Sequence, residues 1–298
     1  MNGVINVYKE KGYTSHDVVA KLRGILHQKK IGHTGTLDPD ATGVLPVCIG
    51  NATKLCDFLT DKVKEYEAVM LLGLTSDTYD STGVMLTKAD PDFMSSLSET
   101  QVKSAILSFM PGYEQIPPMY SAKKVNGKKL YELARAGKEV EREAVYVELP
   151  NIEIVNITLP RATFRVTCSK GTYIRSLCHD IGAKLGCGAV MENLIRTRVS
   201  QFEIKDALKL SEIEEIASKN SLHNILIPTD EMLNMYPSVV CSITADKLLD
   251  NGNMFPTDMV DIIHNGIVRV YNSEKKFIGL YSRSDNNKYY KPYKIFPS

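Results

Sequence analysis

Residues 31–46 read Ile31-Gly32-His33-Thr34-Gly35-Thr36-Leu37-Asp38-Pro39-Asp40-Ala41-Thr42-Gly43-Val44-Leu45-Pro46 and follow neither a helical nor a strand period. Three glycines, two prolines and three threonines in this stretch predict a loop with fixed bends. Asp38 directly precedes Pro39, and a residue before proline is pushed out of the α region into an extended conformation. We therefore expect Asp38 to stand on a rigid, non-helical backbone. The apolar run 44–50 that follows predicts a buried strand that anchors the loop.

Three interpretations of this loop compete. It could be a tight turn capped by Asp38, a phosphate-binding loop, or a rigid support for a catalytic carboxylate. The phosphate-binding interpretation fails because the Gly-Lys-Ser/Thr ending that cradles phosphates is missing. The residues of the loop alone leave the other two open.

The composition predicts a globular protein of two domains. The chain has 298 residues, of which 43% are hydrophobic and 24% are charged, and a domain usually takes roughly 150 residues. No apolar run approaches the roughly 18 residues that a membrane span needs. The first seven residues do not have the pattern of a secretory leader. We expect a cytoplasmic protein with no membrane association.

The cysteines and histidines give no sign of a metal centre. The six cysteines are scattered and form no Cys-x-x-Cys pair, which predicts free thiols. The six histidines likewise form no cluster with metal-ligand spacing. We expect neither a metal nor any other cofactor.

Two longer motifs decide between the interpretations of the loop. The string GHTGTLDPDATGVLPVCIGNATKL at 32–55 closely resembles the signature of the bacterial tRNA pseudouridine-55 synthase family, TruB. The string Lys-Gly-Thr-Tyr-Ile-Arg-Ser at 170–176 resembles a second motif of that family, and residues 193–198 give a weaker third match. The resemblance extends from residue 3 to about 235 with strong motifs and continues weakly to the end.

The resemblance implies a set of site residues. Asp38 would be the catalytic aspartate and Arg175 its partner, which would favour the ionised carboxylate and fix its orientation. His33 would enter the RNA stack where the target base has left, with proton transfer as its alternative role. Tyr66, in Lys64-Glu65-Tyr66, would lie against the base and could also move a proton. The remaining candidates are Tyr173 as a pocket wall, Leu194 as a pocket wall or plain core residue, and Asp80 as a site contact or only a cap of its turn.

A local excess of positive charge follows at 115–144. The whole chain has a net charge of only +1, but residues 123–138 hold one acid, Glu132, among six basic residues. These are Lys123, Lys124, Lys128, Lys129, Arg135 and Lys138. The segment is either a helix with a solvated basic face or an insertion that closes on an RNA backbone. It resembles the thumb insertion of the family, which favours RNA.

The resemblance implies an α+β pseudouridine synthase fold, in which helices flank a mixed, mostly antiparallel sheet. We expect this catalytic domain at 1–236 and a small β-rich, PUA-like RNA-binding domain at 237–298, with a hairpin whose turn is 272–275. Local patterns predict a helix capped by Ser15, another at 98–110 with a Ser98/Gln101 capping box, and a helical region at 206–235.

The implied reaction isomerises the uridine at position 55 in the T-loop of tRNA, with the target base flipped out. The chain would act as a monomer without a protein partner. Two alternatives stay open. One is a tRNA-folding chaperone for which catalysis is incidental, and the other is a guide-RNA-dependent enzyme of the same superfamily. The insertion at 115–138 argues against the guide-RNA-dependent enzyme, because the resemblance implies that this branch lacks the insertion and relies on partner proteins.

Overall fold

The structure is a computed structural model that describes residues 1–60, 62–125 and 127–296. Its strands are β1 (Gly3–Lys9), β2 (Ile31–His33), β3 (Thr42–Ile49), β4 (Lys64–Leu72), β5 (Leu74–Ser76), β6 (Met85–Lys88), β7 (Gly112–Gln115), β8 (Lys124–Val125), β9 (Lys128–Lys129), β10 (Val145–Glu148), β11 (Asn151–Thr158), β12 (Arg161–Cys168), β13 (Ala189–Val199), β14 (Phe202–Glu203), β15 (Ser238–Val240), β16 (Phe255–Pro256), β17 (Ile267–Tyr271), β18 (Phe277–Arg283) and β19 (Tyr289–Ile295). Its α-helices are α1 (Ser15–Ile25), α2 (Cys56–Thr60), α3 (Pro91–Ser96), α4 (Glu99–Leu107), α5 (Leu130–Arg135), α6 (Ile174–Leu185), α7 (Leu210–Ser218) and α8 (Asp246–Asp250). Short 3-10 segments are Gly50–Leu55, Ile204–Asp206, Leu222–Asn224, Glu231–Leu233, Ile243–Ala245 and Thr257–Met259.

A mixed sheet carries the loop that the sequence singles out. In the described residues it has eight strands in the order β1-β3-β13-β4-β12-β11, with β2 beside β3 and β14 beside β13. Only the β3–β13 pair is parallel within this described sheet. The mixed, mostly antiparallel sheet implied by the resemblance is therefore confirmed.

Burial explains why the central strands form. In β4 buried and half-buried residues alternate, which places Tyr66, Ala68 and Met70 on the face that packs under α4 and α6. Strand β3 is instead almost continuously buried, because both of its faces are covered by apolar clusters. The predicted strand behind the loop is thus confirmed as a rigid support.

Helix α1 begins one residue away from the predicted cap. Thr14, not Ser15, is the N-cap, and Thr14 and Asp17 form a reciprocal capping box. The prediction for Ser15 was wrong because its buried hydroxyl is used elsewhere, where it accepts the backbone N–H of Leu37 at 2.9 Å. Ser15 therefore ties α1 to the loop that carries Asp38.

Two other helix predictions had different outcomes. The Ser98/Gln101 capping box of α4 is confirmed. The helical region predicted at 206–235 was wrong over most of its length, because only Leu210–Ser218 is an α-helix and single 3-10 turns flank it. Leu222 and Leu233 of these 3-10 turns pack into apolar clusters that also contain residues of β1. Each segment is a single turn, so it is too short to be an α-helix.

The C-terminal region is β-rich, as expected. Strands β15, β17, β18, β19 and β16 form a second sheet, and β17 and β18 are the predicted hairpin with Asn272 in its turn. Leu280 of β18 and Phe296, which directly follows β19, share an apolar cluster with Val44 of β3. The division at 236/237 stays a prediction.

Candidate active site

The loop between β2 and β3 is held at several points along its backbone. Gly12 donates its N–H to the carbonyl of Pro39 at 2.9 Å, and Lys9 Nζ donates to the same carbonyl at 3.0 Å. The N–H of Ala41 donates to the carbonyl of Asp38 at 3.1 Å. A loop with its own backbone bonds and outside supports can hold a side chain in one direction, so the expected rigid, non-helical setting for Asp38 is confirmed.

The loop ends at a close approach of two backbones. Gly43 has a φ of +107°, and a Cβ there would lie 2.2 Å from the carbonyl oxygen of Arg196. Residues 43 and 196 are register partners in the parallel β3–β13 pair. Only glycine fits this position, and its presence brings β13 against the end of the loop.

Arg175, which the resemblance implies as the partner of Asp38, lies against that residue. Arg175 Nε is 2.9 Å from Asp38 Oδ2, and its Nη2 is 3.4 Å from Oδ1. The arginine side chain is 7% exposed whereas the aspartate side chain is 42% exposed. The geometry is a two-point ion pair that fixes the carboxylate while leaving it accessible from the cleft.

The same guanidinium joins two further segments to the loop. Arg175 Nη1 donates to the carbonyl of Thr78 at 3.1 Å, and Nη2 donates to the carbonyl of Tyr120 at 3.1 Å. Asp80 Oδ2 is 3.7 Å from Nη1, and Asp80 Oδ1 accepts bonds from Thr82. Asp80 thus both shapes its own turn and contacts the site through Arg175.

A cleft of about 720 Å³ opens beside this ion pair. Tyr66, Tyr173 and Leu194 all line it, together with Asp38 and Arg175. This size suits a small ligand or a single extruded nucleotide. Asp80 lines the cleft too, so the structure brings six of the seven candidate site residues to one cleft.

Each aromatic wall is fixed from behind. Tyr66 is 8% exposed on β4, and burial raises the pKa of its hydroxyl, while the nearby Arg196 guanidinium acts in the opposite direction. The backbone of Tyr173 is clamped by the buried amide of Gln115, which accepts from its N–H at 2.7 Å and donates to its carbonyl at 3.1 Å. Leu194 is buried and also belongs to the core, so both interpretations of it hold.

His33 lies on β2 at the start of the loop and does not line the cleft formed by the described residues. Its ring packs edge-on against His16 with 5.3 Å between centroids, and its Nδ1 accepts the N–H of Gly35 at 3.3 Å. Burial lowers the pKa of His33, and His16 acts in the same direction. A neutral ring suits stacking, whereas the proton-transfer alternative has no cleft contact to support it.

The basic segment differs from the helical interpretation. Lys124 and Lys129 are opposite each other in the β8–β9 hairpin, and helix α5 begins only at Leu130. The helix with a basic face is therefore wrong for residues 123–129, because Gly127 with a φ of +79° allows a tight turn there. Like charges directly opposite each other on a hairpin repel, which favours an anionic partner for this surface.

The end of the segment reaches the cleft. Tyr131 and Arg135 on α5 line it, and the guanidinium of Arg135 lies 5.5 Å from the centroid of the Tyr131 ring. Lys129 Nζ also lies over this ring, at 5.4 Å. Lys138 follows the helix and is exposed. Arg135 thus belongs to the cleft wall as well as to the basic segment.

Three cleft-side residues were missed by sequence reasoning. Lys9 is fully buried under the loop, and burial lowers its pKa to about 8 although Asp38 and Asp40 act in the opposite direction. Arg196 Nη1 and Ser121 Oγ are buried and have no hydrogen-bond partner among the described residues, and both residues line the cleft. For Lys9 and Arg196 the only sequence signal was a charged residue at a position that the strand pattern makes inward-facing, and for Ser121, which lies outside the strands, there was no such signal.

The described residues contain no group of three or more His, Cys, Asp or Glu side chains that could hold a metal ion. None of the helices within 1–60, 62–125 and 127–296 has the length and apolar character needed to span a bilayer. The six cysteines are free thiols.

The sheet, the cleft and the paired carboxylate together define the pseudouridine synthase class. Residues 23–174 match the family described as TruB family pseudouridylate synthase (N terminal domain), and residues 175–234 match the tRNA pseudouridylate synthase B C-terminal domain. The chain belongs to the TruB family of pseudouridylate synthases.

Individual relatives agree with this assignment. The chain is 51% identical to a tRNA pseudouridine synthase B of Lachnoclostridium phytofermentans over 99% of its own length and 100% of the relative. It is 48% identical to the Clostridium tetani protein of the same name, over 94% and 95%. Among solved structures, a Cbf5-Nop10-Gar1 complex contains a chain with a TM-score of 0.72 and 27% identity, covering 99% of this chain and 85% of that one.

Proposed function

We propose that this chain converts a uridine of tRNA to pseudouridine, at position 55 in the T-loop. The observation that carries the proposal is the Asp38–Arg175 ion pair at the edge of a cleft with two tyrosines and a leucine on its walls. The substrate class comes from the names of the relatives, and the position comes from the resemblance of the 32–55 string.

The chemistry accounts for this set of residues. The N1–C1′ bond must break, the uracil must rotate, and C5 must bond to C1′. The reaction neither oxidises nor hydrolyses anything. A carboxylate held next to the sugar, as Asp38 is in this proposal, stabilises the electron-poor C1′ by covalent attack or by its charge.

The other residues have supporting roles in the proposal. Tyr66 stacks on the detached uracil and relays the surplus proton, since its hydroxyl can give up its own proton as it takes the one from C5, while Tyr173 and Leu194 limit the movement of the base. His33, at the side of the cleft, fills the place that the flipped base leaves in the RNA stack. Arg175 orients Asp38, and Asp80 contributes through its contact with Arg175.

RNA binding is assigned to surfaces outside the reacting centre. The basic segment from Lys123 to Lys138 contacts phosphates, which set affinity and register without doing chemistry. The C-terminal sheet adds a second, PUA-like contact. The chain acts in the cytoplasm as a monomer and needs no protein partner.

A guide-RNA-dependent enzyme is the second candidate, because the 27% identical solved chain is part of a Cbf5-Nop10-Gar1 complex. Helix α5 favours direct binding of tRNA instead, since its Tyr131 and Arg135 line the cleft and it directly follows the basic β8–β9 hairpin of the same chain.

The purified chain alone, incubated with an unmodified tRNA transcript, separates these possibilities. Pseudouridine at position 55, located by sequencing of chemically modified RNA, supports the proposal. A requirement for a second RNA or a protein supports the guided enzyme. Binding and refolding of tRNA without any pseudouridine supports the chaperone.

A further inference from the structure

Arg196 places a permanent positive charge at the floor of the cleft. Its residue is 1% exposed, and it is the largest of the fully buried side chains among the described residues. On β13 it is the register partner of Tyr66 on one side and of Gly43, at the end of the Asp38 loop, on the other. The sheet therefore fixes its backbone between the two segments that carry the candidate chemistry.

The guanidinium is oriented by two carbonyl groups, one in strand β3 and one in the loop. Nε donates to the carbonyl of Val44 at 2.7 Å, and Nη2 donates to the carbonyl of Gly35 at 3.3 Å. Nη1 is buried and has no partner among the described residues, although Arg196 lines the cleft. A buried donor without a partner costs stability, so it indicates a group that a ligand supplies.

The charge of Arg196 is also unbalanced. Arg175 is paired with Asp38, but no carboxylate in residues 1–60, 62–125 and 127–296 forms an ion pair with Arg196. A buried cation is costly without an anion nearby. The missing anion is therefore expected to enter with the substrate or to form during the reaction.

An RNA phosphate is a poor fit for this position. The phosphates of a bound RNA stay at the surface, where exposed lysines such as Lys124 and Lys128 reach them. A flipped base, in contrast, enters the cleft edge first. When the N1–C1′ bond breaks, its electron pair leaves with the uracil, and the negative charge spreads over N1 and the two carbonyl oxygens.

We propose that Arg196 Nη1 donates to a carbonyl oxygen of the target uracil and stabilises the uracil anion while it is detached from the sugar. The inference rests on the proposed function and adds a catalytic residue to it. Donors aimed at developing charge in a buried site act strongly because they need no reorganisation.

The steps balance without a co-reactant. The electron pair of N1–C1′ goes to the uracil, and C1′ is stabilised by Asp38. After rotation, a pair at C5 forms the C5–C1′ bond, the C5 proton passes to a base, and N1 takes up a proton. Arg196 acts in these steps only as a hydrogen-bond donor and transfers no proton.

The test compares two target bases in single-turnover reactions. Arg196→Gln, Arg196→Lys and wild type act on a T-stem-loop RNA with either uridine or 5-fluorouridine at the target. Fluorine makes the base a better leaving group, so the reaction depends less on stabilisation of its anion. Consumption of the target nucleoside is followed by chromatography of nuclease digests, since fluorine cannot leave C5 as a proton.

We expect Arg196→Gln to convert uridine at least about a hundredfold more slowly than wild type does. On 5-fluorouridine, the factor by which the rate falls should be smaller by at least about tenfold. Arg196→Lys, which keeps the charge without the fork, should show a smaller loss with the same base dependence. The matched control is Arg198→Gln, two residues along the same strand, where the side chain is 38% exposed and pairs with Glu65. It should behave like wild type on both bases.

Equal losses on the two bases in a folded variant would overturn the inference, as would no loss at all. If a variant changed the pH–rate profile and yet lost equally on uridine and 5-fluorouridine, Arg196 would act on Tyr66 instead of on the uracil. That result would also overturn the inference. If Arg196→Gln does not fold, the base dependence of Arg196→Lys decides. A wild-type chain that forms no pseudouridine defeats the proposed function itself, and this inference with it.

Discussion

Arg175 Nε lies 2.9 Å from Asp38 Oδ2, and the two residues are 137 positions apart in the chain. The arginine is the second residue of helix α6, and the aspartate stands in the β2–β3 loop. Because the same guanidinium also binds the carbonyls of Thr78 and Tyr120, it fixes the carboxylate relative to three separate segments. Orientation of the candidate nucleophile therefore depends on the whole mouth of the cleft.

Asp38→Asn should abolish pseudouridine formation while tRNA affinity stays close to wild type. The amide is nearly the same size but carries no charge to stabilise C1′. Release of tritium from C5-labelled uridine measures turnover, and filter binding measures affinity. The matched control is Asp40→Asn, a change of an exposed neighbour outside the ion pair, which should cost far less. Substantial tritium release by the Asp38→Asn protein would remove Asp38 from the catalytic role.

Arg175→Ala should lower turnover by at least about a hundredfold, which is the order expected on removal of a preorganised electrostatic partner. Arg175→Lys should recover only part of this, because an ammonium lacks the planar fork that meets a carboxylate at two points. Arg165→Ala serves as control, since Arg165 also pairs with carboxylates, Glu67 and Glu153, but at 37% exposure on the sheet surface. Normal turnover by Arg175→Ala would show that the ion pair has no catalytic importance.

Lys9 gives a prediction about stability and pH. Burial lowers its pKa from the ordinary 10.5 to about 8 in the folded protein. Below about pH 8 both states hold the proton, whereas between about pH 8 and 10.5 the unfolded state holds more, so stability rises with pH in that window. Relative to Lys9→Met, the wild type should gain roughly 2 kcal/mol between about pH 7.5 and 9.5.

Urea unfolding of both proteins at the two pH values measures this difference, and the variant cancels the contribution of all other groups. Because Lys9 Nζ also supports the carbonyl of Pro39, the variant should lose turnover through a looser Asp38 loop. Parallel pH profiles for the two proteins would mean that Lys9 is not desolvated as the structure indicates.

Local sequence rules predicted the elements that residues close together in the sequence specify. The prolines and glycines of 31–46 marked the loop, the Ser98/Gln101 pair marked the start of α4, and the turn at 272–275 marked the hairpin. The bounds of the loop were wrong, because Ile31–His33 and Thr42–Ile49 pair as strands and leave only residues 34–41 between them. The long-range contact between Arg175 and Asp38 came from the family resemblance, since nothing in either segment alone specifies a partner 137 residues away.

The residues that sequence reasoning missed share one property. Lys9 and Arg196 are charged residues in strands, and a charged residue in a strand is normally placed on the solvent face. Both are buried because carbonyls distant in sequence satisfy them, Pro39 of the loop for Lys9 and Val44 of β3 for Arg196. The cap at Thr14 was missed for a related reason, since the hydroxyl of Ser15 is bonded to Leu37 across the fold.

The basic hairpin gives the last prediction. Lys124 and Lys129 oppose each other across the β8–β9 hairpin. Lys128 is exposed at the start of β9, and Lys123 directly precedes β8. Changing these four lysines to glutamine should weaken tRNA binding strongly and flatten its salt dependence, because each lost phosphate contact lowers the log–log slope by about one unit.

Turnover at saturating tRNA should fall less than turnover at low tRNA, since phosphate contacts set affinity and register while the chemistry takes place in the cleft. The matched control changes four exposed lysines that lie before residue 237 and outside the basic segment, Lys88, Lys103, Lys209 and Lys219, and alters the net charge equally. Binding isotherms at three salt concentrations compare the two variants with wild type. If the hairpin variant and the control gave the same affinity and slope, the effect would reflect only net charge, and the hairpin would not be part of the RNA interface.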